Sequence, residues 1–82
     1  MYRLTRTQDN RVITGEKVQY IEWDEDGRFS RIYDEPAPGR SIILDPHYFK
    51  YTWMTTEIVS FHKDGDKLVF ETKNSTYILE SI

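Results

Sequence analysis

The last third of the chain, from Thr55 to Leu79, consists of three alternating apolar and polar runs separated by two tight turn signals, Asp64-Gly65 and Lys73-Asn74. Successive side chains of a strand point to opposite faces, so the position of each turn decides which apolar residues meet. A two-residue turn at Asp64-Gly65, a favoured type I′ pair, sets Phe61 opposite Leu68 and Val59 opposite Phe70. A second turn at Lys73-Asn74, where Asn tolerates the left-handed conformation, sets Phe70 opposite Tyr77 and Leu68 opposite Leu79. One apolar row across three strands is therefore predicted. Shifting the second turn by one residue would pair Lys73 with Thr76 and break that row. The other face carries Ile58, Val69 and Ile78 among Ser60, His62, Lys67, Glu71 and Glu80. A sheet apolar on both sides either curls into a small barrel or offers one face to a partner. Asn74-Ser75-Thr76 also spells a glycosylation acceptor, but its place in the pattern reads as a hairpin.

The rest of the chain follows the same grammar. In Trp23-Asp24-Glu25-Asp26-Gly27-Arg28-Phe29, a turn at Asp26-Gly27 pairs Glu25 with Arg28, Glu22 with Arg31, Ile21 with Ile32 and Tyr20 with Tyr33, all favourable cross-strand combinations. Tyr2 and Leu4 alternate with Arg3 and Thr5 in a first strand, and Arg11 to Thr14 reads as a short second one ended by Gly15. Glu35-Pro36-Ala37-Pro38-Gly39 is a loop, since its prolines cannot donate to a ladder, and Ser41 to Leu44 resumes as a strand. Asp45-Pro46 has the form of a helix start. The aromatic run behind it, to Tyr51, supports one helical turn and no more. The predicted fold is all-β: a small SH3-like or OB-like barrel of six or seven short antiparallel strands with one helical turn, in a single domain over residues 1–82. A half-open sandwich is the alternative.

Eighty-two residues bury too little surface for two cores. The chain has no cysteine, which removes disulfides and thiolate metal sites and fits a reducing compartment. No apolar stretch approaches the roughly 18 residues of a membrane span, and the first residues lack the apolar run of a signal peptide. A cytoplasmic protein, with no membrane association, is expected. The net charge of −3 is concentrated in residues 16 to 35, without the basic stripe that draws nucleic acid.

Catalytic and metal chemistry find little support. Acids at alternate positions from Glu22 to Asp26, followed by Gly27, imitate half of a calcium loop. The twelfth position is Tyr33 instead of a bidentate glutamate, however, and the flanks alternate as strands. His47 and His62 are too few for zinc. Ser41, Asp45 and His47 lie close in sequence, but no nucleophile elbow or oxyanion loop accompanies them. No phosphate-cradling glycine loop exists. A non-enzymatic protein without cofactor is expected.

Aromatic residues make up 15% of the chain, and His47 to Met54 holds four of them beside a proline-rich loop and Arg40. A strand or single helical turn buries about half of such a run, and Tyr, Trp, Met and Arg dominate interface energetics. Arg40, Tyr48, Tyr51 and Trp53 are the predicted protein-binding residues. The competing reading is that Phe49, Tyr51 and Trp53 cap the open end of the barrel.

The segment Thr55-Thr56-Glu57-Ile58-Val59-Ser60-Phe61, followed by Phe70-Glu71-Thr72-Lys73-Asn74-Ser75-Thr76-Tyr77-Ile78-Leu79, resembles the C-terminal end of small uncharacterised proteins of bacteriophages and mobile elements. That resemblance implies a bacterial cytosolic setting and an accessory role in which a small acidic protein binds, and in some cases inhibits, a host protein. It implies no catalytic residues. A protein partner is thus the first expectation, and a second copy of the chain, as a homodimer, is another. Two alternatives involve nucleic acid or nucleotide: an OB-like single-strand binder in which Arg3, Arg6, Arg11, Arg31 and Arg40 converge on one face, and a sponge for a small signalling nucleotide held between subunits.

Overall fold

The structure, a computed structural model, describes residues 1–45 and 53–82. Within them lie eight strands and no helix: β1 (Tyr2–Arg6), β2 (Arg11–Gly15), β3 (Val18–Trp23), β4 (Phe29–Tyr33), β5 (Arg40–Leu44), β6 (Trp53–Asp64), β7 (Lys67–Thr72) and β8 (Thr76–Ser81). The expected count of six or seven is corrected to eight, because Arg11–Gly15 pairs with β1 along its whole length. The expected helical turn falls mostly outside the described residues.

Every pairing is antiparallel, in the order β2-β1-β8-β7-β6-β5-β3-β4, and the sheet curls into a half-barrel. β6 is the seam. Its later residues pair with β7 and its earlier ones with β5, with register shifts between Ile58 and Ser60 and between Ser41 and Ile43. Bulges of this kind let one strand serve two sheet directions. At the second shift the Thr55 hydroxyl accepts the Ile42 N–H (3.0 Å) and donates to the Thr56 carbonyl (2.8 Å), so the buried irregularity leaves no orphan donor.

The concave side of the half-barrel holds the core. Leu4, Ile42, Leu44, Ile58, Leu68, Phe70 and Leu79 are buried there with Tyr20 and Tyr77. β7 and β8 take the predicted register, with Phe70 opposite Tyr77 and Leu68 opposite Leu79. Their turn is held differently than expected. Asn74 is not in the left-handed region; the Thr72 hydroxyl accepts the N–H groups of Asn74 (3.4 Å) and Ser75 (3.2 Å), and the Thr72 N–H reaches the Ser75 carbonyl at 2.8 Å.

The β6–β7 register differs from the expectation. Asp64 pairs with Lys67, and Phe61 faces Phe70 in place of Leu68. The turn residues are Gly65 and Asp66, with Gly65 at φ 62°, the type II′ arrangement that puts glycine first. The bulge beyond Ser60 then turns Ile58 inward, opposite Thr72, and leaves Val59 exposed. Val59 therefore leaves the predicted apolar row and Ile58 joins the core.

In the β3–β4 hairpin the pairs Tyr20–Tyr33, Ile21–Ile32 and Glu22–Arg31 match the prediction, but Glu25 does not pair with Arg28. The turn is longer. Gly27, at φ 77°, donates to the Asp24 carbonyl (3.0 Å), Asp24 donates to the Arg28 carbonyl (2.8 Å), and Trp23 falls opposite Phe29 after a register shift.

Two contacts fasten the ends of the curl. Gly15 packs so closely on β5 that a Cβ there would lie 2.6 Å from Leu44 Cγ, so its glycine is required by close approach and not by a turn. Asp45 Oδ1 accepts the N–H groups of Glu16 (2.6 Å) and Lys17 (3.1 Å), which ties the β2–β3 connection to the end of β5. β1 pairs with β8 from Tyr2–Ser81 to Arg6–Tyr77, and the Ile82 N–H reaches the Met1 carbonyl at 2.9 Å.

Candidate functional site

Directly opposed residues of an antiparallel pair share a face, and in the β5-β3-β4 half this places a second apolar surface on the convex side. Ile21 lies opposite Ile32 and Ser41, Trp23 opposite Phe29, and Ile43 opposite Met54. Ile21 and Ile43 are buried yet lie outside the concave core cluster. Phe29 and Ile32 on the edge strand β4 are 54% and 49% exposed. Trp23 is fixed in place: its indole Nε1 donates to Ser41 Oγ at 2.8 Å, and that serine is buried. A shallow concavity of about 350 Å³ lies beside it, with Trp23, Ser41, Met54, Thr55 and Glu57 among its walls.

Acidic residues border this surface. Asp24, Glu25 and Asp26 form the β3–β4 turn, and Glu57, opposite Ser41, is exposed on the same face. The alternating acids that imitate a calcium loop have a structural role. Asp24 Oδ1 accepts the N–H groups of Asp26 (2.9 Å) and Arg28 (2.8 Å), which orders the turn. Among the described residues no group of three or more His, Asp or Glu could hold a metal ion.

The predicted binding residues are distributed differently. Arg40 begins β5, whereas Trp53, on β6, pairs with Leu44 at the other end of β5, roughly 13 Å away along a strand that rises about 3.3 Å per residue; Arg40 pairs with Glu22. Arg40 lies over the Tyr33 ring, 3.5 Å from its centroid, and donates to the Glu35 carbonyl at 2.8 Å. Trp53 points to the concave side, half-buried, edge-on to Tyr77 with centroids 5.9 Å apart, and Tyr77 stacks on Phe70 at 5.0 Å. Tyr48 and Tyr51 lie outside the described residues, as do His47 and Phe49.

Of the five arginines considered for nucleic acid, only two converge. Arg6 and Arg11 are direct cross-strand partners, and their guanidinium carbons lie 5.2 Å and 5.0 Å from the Trp53 ring centroid. Asp9 grips Arg6 with both oxygens, at 3.0 Å and 2.7 Å. The bidentate pair raises the Arg6 pKa and holds the Asp9 carboxyl below the usual carboxylate range. Arg3 instead bridges to Glu80 at 3.1 Å on the convex side, and Arg31 faces Glu22. The Arg6–Arg11–Trp53 cluster escapes sequence reasoning because β6 is remote in the chain from the β1–β2 hairpin. The convex patch escapes it because its two-sidedness appears only once β5 is known to pair with β3.

Compared with known proteins, the chain matches no family model, no curated protein and no solved structure. No helix of the described residues is long and apolar enough to cross a membrane.

Proposed function

We propose that the protein is a non-catalytic binding module whose convex β4-β3-β5 face takes a basic, partly apolar protein surface. The observation that carries this reading is the convex apolar patch in which exposed Phe29 and Ile32 lie near half-buried Trp23 and Met54, bordered by acids. A patch of exposed aromatics and aliphatics with a rigid tryptophan is the composition of an interface centre. Charge selects among partners. Residues 16–57 hold nine acids and five bases, whereas the other forty residues hold five acids and six bases. Two copies meeting through this acidic face would repel, while a basic partner would be attracted and steered.

The likeness to phage and mobile-element proteins makes a bacterial host protein, bound in the cytoplasm and inhibited by occlusion, the natural partner in this proposal. The SH3-like or OB-like barrel is the finer reading of the fold. It is supported by β6, which bends through two bulges to serve both halves as the corner strands of small orthogonal barrels do.

The test uses the purified protein as bait in bacterial lysate, with Phe29→Ser and Ile32→Ser as paired variants. The expected result is a captured protein that is lost from both variants and weakened by added salt, while their unfolding midpoints stay near that of the parent. Retention of every captured protein by both variants rejects the convex face as the binding surface.

A further inference from the structure

The concave side carries a second, chemically different feature at the end of the half-barrel opposite the β6–β7 turn. We infer that Arg6 and Arg11, ordered on the Trp53 ring, form a binding site for the phosphate group of a nucleotide or nucleic-acid strand. This site is independent of the convex face.

Arg6 and Arg11 are directly opposed across the β1–β2 ladder, and like charges so placed destabilise a sheet. One charge is answered: Asp9 holds Arg6 in a bidentate pair. The other is not. Among the described residues Arg11 makes no ion pair, and its side chain rests on the indole face 5.0 Å from the centroid. Arg11 lies on the edge strand β2 and is exposed. The cluster therefore keeps a net positive charge, with two planar guanidinium groups fixed beside one ring. A guanidinium pair suits phosphate oxygens, since each fork can give two parallel N–H···O bonds.

The backbone fixes this geometry before any ligand arrives. Asp9 Oδ1 also accepts the Arg11 N–H at 3.3 Å, and Asn10 takes the left-handed conformation at φ 55°, so the β1–β2 turn aims both arginines at Trp53. Ser75 Oγ donates to Gln8 Oε1 at 2.9 Å and binds that turn to the β7–β8 turn. Little ordering is left for binding to accomplish.

The experiment follows the Trp53 indole and Arg11 amide signals in nitrogen–proton correlation spectra of the full chain. Inorganic phosphate, adenosine monophosphate and a short oligothymidylate are titrated separately. Saturating shifts at both signals, weakened about tenfold or more by Arg11→Gln, are expected, since a charged hydrogen-bond pair contributes on that order. Tighter binding of the oligonucleotide, with steep loss in salt, assigns the site to a nucleic-acid strand. Equal binding of the monophosphate assigns it to a nucleotide. Unchanged spectra with all three probes, or the same shifts in Arg11→Gln, overturn the inference. Arg11→Lys, which keeps the charge and loses the fork, guards against a folding defect and should bind with intermediate strength.

Discussion

In the terminal half of the sheet, β1, β7 and β8 send Leu4, Leu68, Phe70 and Leu79 to the concave core, while their convex side carries Arg3, Glu71 and Glu80 around half-buried Val69 and Ile78. In the central half, β3, β4 and β5 send Tyr20, Ile42 and Leu44 to the same core, while their convex side holds buried Ile21 and Ile43, half-buried Trp23 and exposed Phe29 and Ile32. The terminal half is nearly neutral and mixed in polarity on its convex side; the central half is acidic and apolar on both sides. Stability requires only one apolar face per sheet. Under the function proposed above, the second face of the central half is the partner surface, whereas the terminal half supplies most of the core.

The sharpest way to break this division is to truncate one aromatic from each half. Phe70→Ala removes a fully buried ring stacked on Tyr77 and should cost about 3–5 kcal/mol, a large part of the roughly 5–15 kcal/mol that holds a domain together. Phe29→Ser should change stability by no more than about 0.5 kcal/mol. Urea unfolding followed by circular dichroism measures both, and comparable losses would erase the distinction. Next in size is Gly15→Ala, which forces β2 of one half away from Leu44 of the other. Overpacking of this kind costs about 1–3 kcal/mol, read from the same unfolding curves, and the loss should shrink when Leu44→Ala is added.

Titration separates the halves at smaller scale. In the central half, burial raises the Tyr20 hydroxyl to about 12, with the neighbouring Tyr2 adding to the shift. The unfolded chain loses this proton first, near pH 10, so stability should be intact below pH 10 and fall as pH climbs towards about 12. Tyr20→Phe should flatten that alkaline limb, with phenolate absorbance recorded alongside the unfolding midpoint. In the terminal half, the exposed Asp9 carboxyl is lowered by its bonds from Arg6. Its contribution is present above the usual carboxylate range and is lost as pH falls below that range, through the lowered value of the folded state. Asp9→Asn should remove a small acid-dependent component of the melting temperature, the least of these effects, and leave the alkaline limb unchanged.

How much of this was legible in the chain depends on how local each cause is. The β7–β8 register could be read because a two-residue turn with apolar matches on both sides admits one alignment. Tyr20–Tyr33 and Ile21–Ile32 were readable from side-chain matching alone, since the register shift that lengthens their turn falls beyond Glu22. The β6–β7 turn slipped because Asp64-Gly65 suits one hairpin type and Gly65-Asp66 another, and nothing nearby separates them. The exchange of Val59 for Ile58 was hidden, since a bulge has no residue signature and reverses the alternation beyond it. The close approach of Gly15 to Leu44, and the meeting of Arg6 and Arg11 on Trp53, depend on how the sheet curls. No local pattern encodes that. Arg40 and Trp53, grouped with the aromatic run in sequence, are separated by the full length of β5.

The ladder between β1 and β8 has a consequence for synthesis. On a chain still being made, β1 and β2 can pair before β8 exists, and Leu4 then lacks its partner Leu79. Contacts between residues so far apart in sequence slow folding, and until β8 docks, β1 leaves uncovered an apolar side chain that the folded sheet buries.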